Sequence, residues 1–288
     1  VWPAPAGQTA AVRGSPLLTE RTRSLVIDPQ FCGPADRANG GYIAGILARI
    51  VEPPLQLTLR KAVPVGHAIH VRETPDGGAH VLSGDDVLAE ARSAPLDLAV
   101  PEPPSHDAAV HAARNYIGFH DHPFPRCFVC GPLRAEGDGL RIFAGPVPDE
   151  PMVAAPWTPH AAFAADGGQV RHEVTWAALD CPGCFAALLD RPAQAAVLGR
   201  ITAHVTRAPN AGEPVTVIGW PIAHDGRKHH VGTALVGADG ELIGRALATW
   251  VDVPFRDALG GSRRPGTGTE ERLGTGHRRP AADGPGGT

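Results

Sequence analysis

The chain has 288 residues, with 26 Lys and Arg against 30 Asp and Glu and a formal net charge of −4. Hydrophobic residues make up 43%, enough for a buried core, and no basic cluster precedes the extreme C-terminus, which argues against nucleic-acid binding. No apolar run reaches membrane-spanning length, and the first twenty residues lack the charged start and apolar centre of a signal peptide, so the expectation is a cytoplasmic protein with no membrane partner.

Gly and Pro are abundant, at 35 and 30 residues, while Lys and Met are rare. With Ala and Arg also heavily used, this reads partly as GC-rich coding bias and lowers the weight of any single glycine or proline. Residues 1–19 are rich in Ala, Gly and Pro and are expected to be flexible. Ser24 to Ile27 reads as a short strand. Phe31 to Asn39 is loop-like, and Tyr42, Ile43, Ile46, Leu47 and Ile50 then recur at helical spacing until Pro53-Pro54. Leu55 to Ala62, His67 to Glu73, Ala79 to Leu82 and Val87 to Ser93 read as strands, with Asp76-Gly77-Gly78 as a hairpin signal.

Pro101 to Pro125 reads as a connector with a short helix around Ala108 to Arg114. Beyond it the pattern repeats. Leu140 to Phe143 and Met152 to Trp157 are expected strands, and Val174 to Leu189 is a helical zone interrupted at Pro182-Gly183. Ile201 to Thr206, Val215 to Pro221, His229 to Val236 and Leu242 to Val251 are expected strands, the last two joined at Ala238-Asp239-Gly240. Residues 256–288 have almost no apolar content and are expected to be disordered. One unit therefore occurs twice, at 20–104 and 126–255, around a 105–125 connector: a short strand, a helix, then antiparallel strands. The expected class is α+β.

Two motifs in the second half carry the most information: Cys127-Phe-Val-Cys130-Gly131 with Gly139-Leu140, and Asp180-Cys181-Pro182-Gly183 at a helix start. Together with Gly226-Arg-Lys, Gly240-Glu-Leu-Ile and Ala246-Leu-Ala-Thr-Trp250, they resemble hotdog-fold proteins of the thioesterase superfamily, of the phenylacetate-pathway type, over residues 122–253. The first half resembles the same family more weakly, through Asn39-Gly40-Gly41-Tyr42 and the helix that follows. The resemblance implies a tandem double hotdog, each repeat a long central helix wrapped by an antiparallel sheet. It implies acyl-CoA or acyl-carrier thioester partners, no cofactor, and assembly as a monomeric pseudo-dimer or a homodimer. The first repeat is short, which fits a degenerate, structural copy.

Thioester hydrolysis needs a group that orients or deprotonates water and donors that hold the oxyanion. Free N–H groups at a helix start supply donors, and glycine lets the thioester approach. On this basis Asp180 is the candidate general base, Gly183 the candidate donor, and Asn39 a polar partner from the other repeat. Gly40 and Gly41 are the corresponding helix-start positions for substrate. Each has a second reading: Asp180 as a helix N-cap, Asn39 as a turn residue, Gly40-Gly41 as close helix–sheet packing. Arg207, Arg227 and Lys228 are candidates for coenzyme A phosphates on composition alone.

The five cysteines, Cys32, Cys127, Cys130, Cys181 and Cys184, are an odd number. The paired spacing Cys127-x-x-Cys130 and Cys181-x-x-Cys184 is that of a four-thiolate zinc site. Cys181 and Cys184 fall inside the helix-start motif, however, and the Cys127 pair recurs in metal-free relatives by resemblance. The expectation is therefore buried small hydrophobes and no metal. Of His120, His122, His160, His172, His204, His224, His229 and His230, the pair His120-x-His122 near Cys127 can be read as metal ligands, but with no carboxylate at useful spacing the expectation is exposed loop histidines, with His204 on a strand; Thr206 and Thr249 are strand hydroxyls of open role. No Gly-x-Ser-x-Gly elbow and no Gly-x-Gly-x-x-Gly turn is present, which disfavours a serine hydrolase and a dinucleotide fold. The leading expectation is an acyl-CoA thioesterase-like hydrolase. The alternatives are a non-catalytic protein binding an acyl or aromatic ligand, and a hydratase or dehydratase.

Overall fold

The computed structural model describes residues 22–191 and 195–254. The expected flexible N-terminus and disordered tail lie outside the described residues.

Among the described residues, eleven strands form one antiparallel sheet. In the first half β1 (Thr22–Val26) is followed by α1 (Gly40–Leu47), β2 (Leu55–Leu59), β3 (Ala68–Glu73), β4 (Ala79–Ser83) and β5 (Asp86–Ser93). After α2 (His106–Arg114) come β6 (Gly145–Pro146), β7 (Val153–Trp157), α3 (His172–Ala178), α4 (Cys181–Ala187), β8 (Ala195–Val205), β9 (Val215–Asp225), β10 (Lys228–Gly237) and β11 (Leu242–Val253). The sheet order is β1-β3-β4-β5-β2-β8-β11-β10-β9-β7-β6.

That order contains a repeat. From β1 the first half runs first, third, fourth, fifth, second strand, and from β7 the second half runs the same way. In both, the helical segment lies between the first and second strands. The halves meet edge to edge where β2 pairs with β8. Leu55, Leu57, Ile201 and Ala203 bury one face of this seam, as a period of two residues requires. On the other face the Gln56 amide donates to Thr202 Oγ1 at 3.1 Å and Arg200 Nε donates to Thr58 Oγ1 at 3.2 Å. Pairing the two inner edges also removes two exposed strand edges.

The glycines at the hairpin turns adopt the positive φ that the motifs demand, +81° at Gly77 and +84° at Gly240. Leu140 to Phe143, expected as a strand, is irregular: Leu140 N–H donates to Phe128 O and Ile142 N–H to Val129 O, so the segment pairs with the cysteine loop instead of the sheet. The segment expected as a connector holds α2, whose buried Ala109 and Ala112 pack on β6 and β7.

The helices differ from the expected long central helices. α1 has eight residues and ends at Leu47, short of Ile50. The second helical zone breaks at Leu179-Asp180, before the expected Pro182-Gly183, into two helices of seven residues. Pro182 has no N–H to give to the preceding turn, which favours a break upstream of it. The last turn of α3 tightens, with Asp180 N–H donating to Ala177 O at 3.0 Å. The freed Leu179 carbonyl accepts the Thr233 hydroxyl of β10 at 2.7 Å.

α1 and α3 pack against each other through two glycines. A Cβ on Gly41 would lie 2.8 Å from Trp176 O, and one on Gly45 would lie 2.6 Å from Glu173 Cα. The Gly41-x-x-x-Gly45 face thus lets the two backbones touch, and it brings the start of α1 to the break between α3 and α4.

Candidate active site

Two helix starts from opposite halves converge. Asn39 is the N-cap of α1, its Oδ1 accepting Tyr42 N–H at 2.9 Å. Asp180 stands at the start of α4 but makes no cap bond to its own helix. Its Oδ2 instead accepts Gly41 N–H at 3.0 Å, capping the helix of the other half. The other oxygen, Oδ1, is buried with no protein partner.

Burial dominates the ionisation of Asp180. Only 2% exposed, its carboxyl is pushed up to about 7, chiefly by loss of hydration, while the Gly41 N–H draws it down and the negative charge near Cys127 adds to the rise. A carboxyl in that range is half ionised near neutrality and suited to accept a proton.

Asp180, Asn39 and Gly40 line a cavity of about 400 Å³ between the halves. Its walls are largely apolar, with Leu59, Val63, Phe185, Leu188, Leu198 and Trp250 among them. The exposed Arg37, Arg60 and Lys61 border it. Gly40 is the close-approach glycine: a Cβ there would collide with Leu198 and lie 3.6 Å from Asp180 Oδ2. Its N–H precedes those taken by Asp180 and Asn39. The Asn39 amide nitrogen lies 3.9 Å from Cys181 Sγ, and with Gly40 N–H it also faces the Asp180 carboxyl and draws its ionisation down.

The structure brings Asp180, Asn39, Gly40 and Gly41 together and leaves the other sequence candidates elsewhere. Gly183 N–H is taken by Asp180 O at 3.1 Å, and its Cα faces the sheet, where a Cβ would lie 2.8 Å from Trp250 Nε1. It is therefore not a free donor. Arg207 is clamped by Glu213 at 2.7 Å and Glu241 at 2.8 Å. Arg227 and Lys228 lie at the exposed turn between β9 and β10. None of the three lines the cavity.

Sequence reasoning missed Arg60, Lys61 and Arg134, and read His122 only as an exposed loop histidine or, with His120, a metal ligand. Arg60 and Lys61 follow β2 directly, and the β2–β8 seam carries them to the cavity. His122 also lines it; Phe124 N–H donates to His122 Nδ1 at 2.9 Å, which leaves the ring proton on Nε2, 3.4 Å from Cys130 Sγ. Arg134, 8% exposed, ties the cysteine loop to the first half by donating to Arg126 O, Gln30 O and Asp138. Arginines in a Gly-rich loop give no pattern from which to foresee that role.

Cys127, Cys130 and Cys181 converge, their sulfurs all within 4.8 Å of one another, whereas Cys184 points to Ala196 O at 3.8 Å. The four-thiolate set suggested by spacing thus does not assemble.

No helix among the described residues is long and apolar enough to cross a membrane. No family model and no curated protein matches the sequence. Solved structures do. A protein of Novosphingobium aromaticivorans assigned as a thioesterase superposes with a TM-score of 0.54 at 11% identity, over 80% of this chain and 94% of that one. The dehydratase domain of PpsC from Mycobacterium tuberculosis, in complex with C12:1-CoA, gives 0.53 at 17% identity, over 83% and 96%. A tesB protein of Mycobacterium avium subspecies paratuberculosis gives 0.51 at 12% identity, over 81% and 93%. The matches span both halves and agree with the antiparallel sheet and its helices, so the chain shares the hotdog fold of these structures.

Proposed function

We propose that this protein is a thioesterase-like hydrolase of acyl-CoA or acyl-carrier thioesters, built as a tandem double hotdog in one chain. The observation that carries the reading is Asp180: a buried carboxylate with one oxygen held by Gly41 and the other free, beside an apolar cavity. The repeated strand order and the β2–β8 seam support the tandem arrangement, with repeats at 20–104 and 126–255 acting together as a pseudo-dimer.

In the proposed reaction the acyl chain occupies the cavity and the thioester lies at the start of α1. Asp180 Oδ1 takes a proton from water, and the hydroxide adds to the carbonyl carbon. The oxyanion is held by Gly40 N–H and the Asn39 amide, aided by the positive end of α1. Collapse breaks the carbon–sulfur bond, and the leaving thiolate takes the proton back from Asp180. Arg37, Arg60 and Lys61 replace Arg207, Arg227 and Lys228 as the groups for coenzyme A phosphates.

The test is thiol release from a panel of short, long and aromatic acyl-CoAs. Release by the wild type that falls by about 10²–10⁴ in Asp180→Asn, with folding intact, supports the reading. A folded wild type that binds acyl-CoA and releases no thiol from any member moves the protein to the second reading, an acyl-binding hotdog protein without hydrolysis.

A further inference from the structure

The three converging cysteines are not needed by the hydrolysis. Cys127 and Cys130 come from one loop and Cys181 is the first residue of α4, so two separate elements deliver thiols to one point. Cys127 Sγ and Cys181 Sγ are 3.5 Å apart. Sulfurs bound tetrahedrally to zinc at about 2.3 Å lie about 3.8 Å from each other, within the range of this cluster. Packing of small hydrophobes imposes no such convergence.

The loop is held tight at Gly131, where a Cβ would lie 2.5 Å from Cys127 O. The fixed tautomer of His122 presents Nε2–H to Cys130 Sγ, so the imidazole faces the cluster as a donor beside it and is not a ligand in this pose. Cys127, Cys130, Cys181 and His122 all line the cavity, which gives an entry path.

We propose that Cys127, Cys130 and Cys181 bind one thiophilic divalent cation, zinc by the chemistry of the donors, with its fourth position open to the cavity. Three soft ligands select zinc over magnesium or calcium, and three protein ligands with an open position are the pattern of sites that take an exogenous water or thiol. Each protonated cysteine gives its proton to solvent as its metal–sulfur bond forms.

The experiment is a cobalt(II) titration of the reduced, metal-stripped full chain under anaerobic conditions. The expected result is one equivalent bound, with sulfur-to-cobalt charge-transfer absorption and the intense visible bands of four-coordinate cobalt, both bleached by one equivalent of zinc. Cys127→Ser and Cys181→Ser each lower the charge-transfer intensity and weaken binding by at least about tenfold, while Cys184→Ser keeps the wild-type spectrum. His122→Ala weakens binding about 10–100-fold without removing a thiolate band. A folded wild type with no thiolate charge transfer overturns the proposal, whatever the variants do. So does a spectrum that persists unchanged in Cys127→Ser and Cys181→Ser. Hydrolysis is not the readout, so a failed thiol-release assay leaves this result standing, and a protein without metal affinity leaves the Asp180 reading standing.

Discussion

The carboxylate of Asp180, at the break in the second half's helical segment, accepts the N–H of Gly41, at the start of the first half's helix, at 3.0 Å. The bond holds one oxygen in place, leaves the other without a protein partner, and joins the two halves of the chain at the candidate site.

Because burial lifts Asp180 to about 7, the base form is the minority species in mildly acidic solution. The kcat/KM for acyl-CoA hydrolysis is expected to fall about tenfold per pH unit below 7 and to level off above it. Asp180→Asn is expected to give a flat, low profile. A wild-type profile that bends near pH 4 would assign the titration to an ordinary exposed carboxylate and remove Asp180 as the base.

The same carboxyl makes stability depend on pH. The native state keeps the Asp180 proton up to about pH 7, whereas the unfolded chain releases it near 4. This contribution is fully present below the unfolded value and is lost as pH rises through the folded one, on the order of 4 kcal/mol in all. Denaturant unfolding of wild type and Asp180→Asn across pH 4 to 8 measures it. The difference between the two is expected to shift in favour of the variant as pH rises, and parallel curves would show that Asp180 is not perturbed.

Asn39 has two separable tasks. Its Oδ1 caps α1 and its Nδ2 is a proposed oxyanion donor. Asn39→Ala loses both; Asn39→Ser keeps a cap acceptor and loses the amide. Asn39→Ala is expected to cost about 1 kcal/mol in chemical denaturation and Asn39→Ser less. Both are expected to lower kcat by about 10²-fold or more. Equal stability loss with unchanged kcat would confine Asn39 to capping.

Much of the fold was legible because its signals are local. Asp76-Gly77-Gly78 and Ala238-Asp239-Gly240 mark turns that need a positive φ, and apolar alternation marks the strands beside them. Asp180, Asn39 and Gly40-Gly41 were legible because helix starts have recognisable chemistry. What escaped depends on tertiary pairing. Gly183 failed as a donor because the break came three residues early and turned it to the sheet. Arg60 and Lys61 carry no motif, and only the β2–β8 seam gives them a site. His122 meets Cys130 by loop geometry, and Cys181 parts from Cys184 although their spacing suggested a pair.

Thr233 is another residue without a sequence signal. Fully buried on β10, its hydroxyl satisfies the Leu179 carbonyl freed by the helix break. Thr233→Val keeps the shape and orphans that carbonyl, so a loss of about 1–3 kcal/mol is expected in urea unfolding. Thr233→Ser is expected to retain the bond and lose less. Equal losses for the two would mean that packing of the methyl, not the hydrogen bond, is what the site needs.

In the proposed reaction, Arg60 and Lys61 at the cavity rim allow recognition of the coenzyme to be tested apart from the chemistry. Arg60 pairs with Glu90 at 2.8 Å and Lys61 with Asp86 at 2.7 Å, but all four side chains are exposed, so these pairs contribute little to stability and are free to exchange for phosphate. Replacing both by Ala is expected to raise KM for acyl-CoA about tenfold with kcat nearly unchanged, and the effect should shrink as salt screens the phosphates. An acyl thioester of a small thiol without phosphates should show no such rise. Arg207→Ala, which breaks the clamp on Glu213 and Glu241 away from the cavity, should leave KM alone. A rise in KM for Arg207→Ala with none for the Arg60 and Lys61 variant would move the coenzyme to the opposite side of the second half and detach it from the Asp180 cavity.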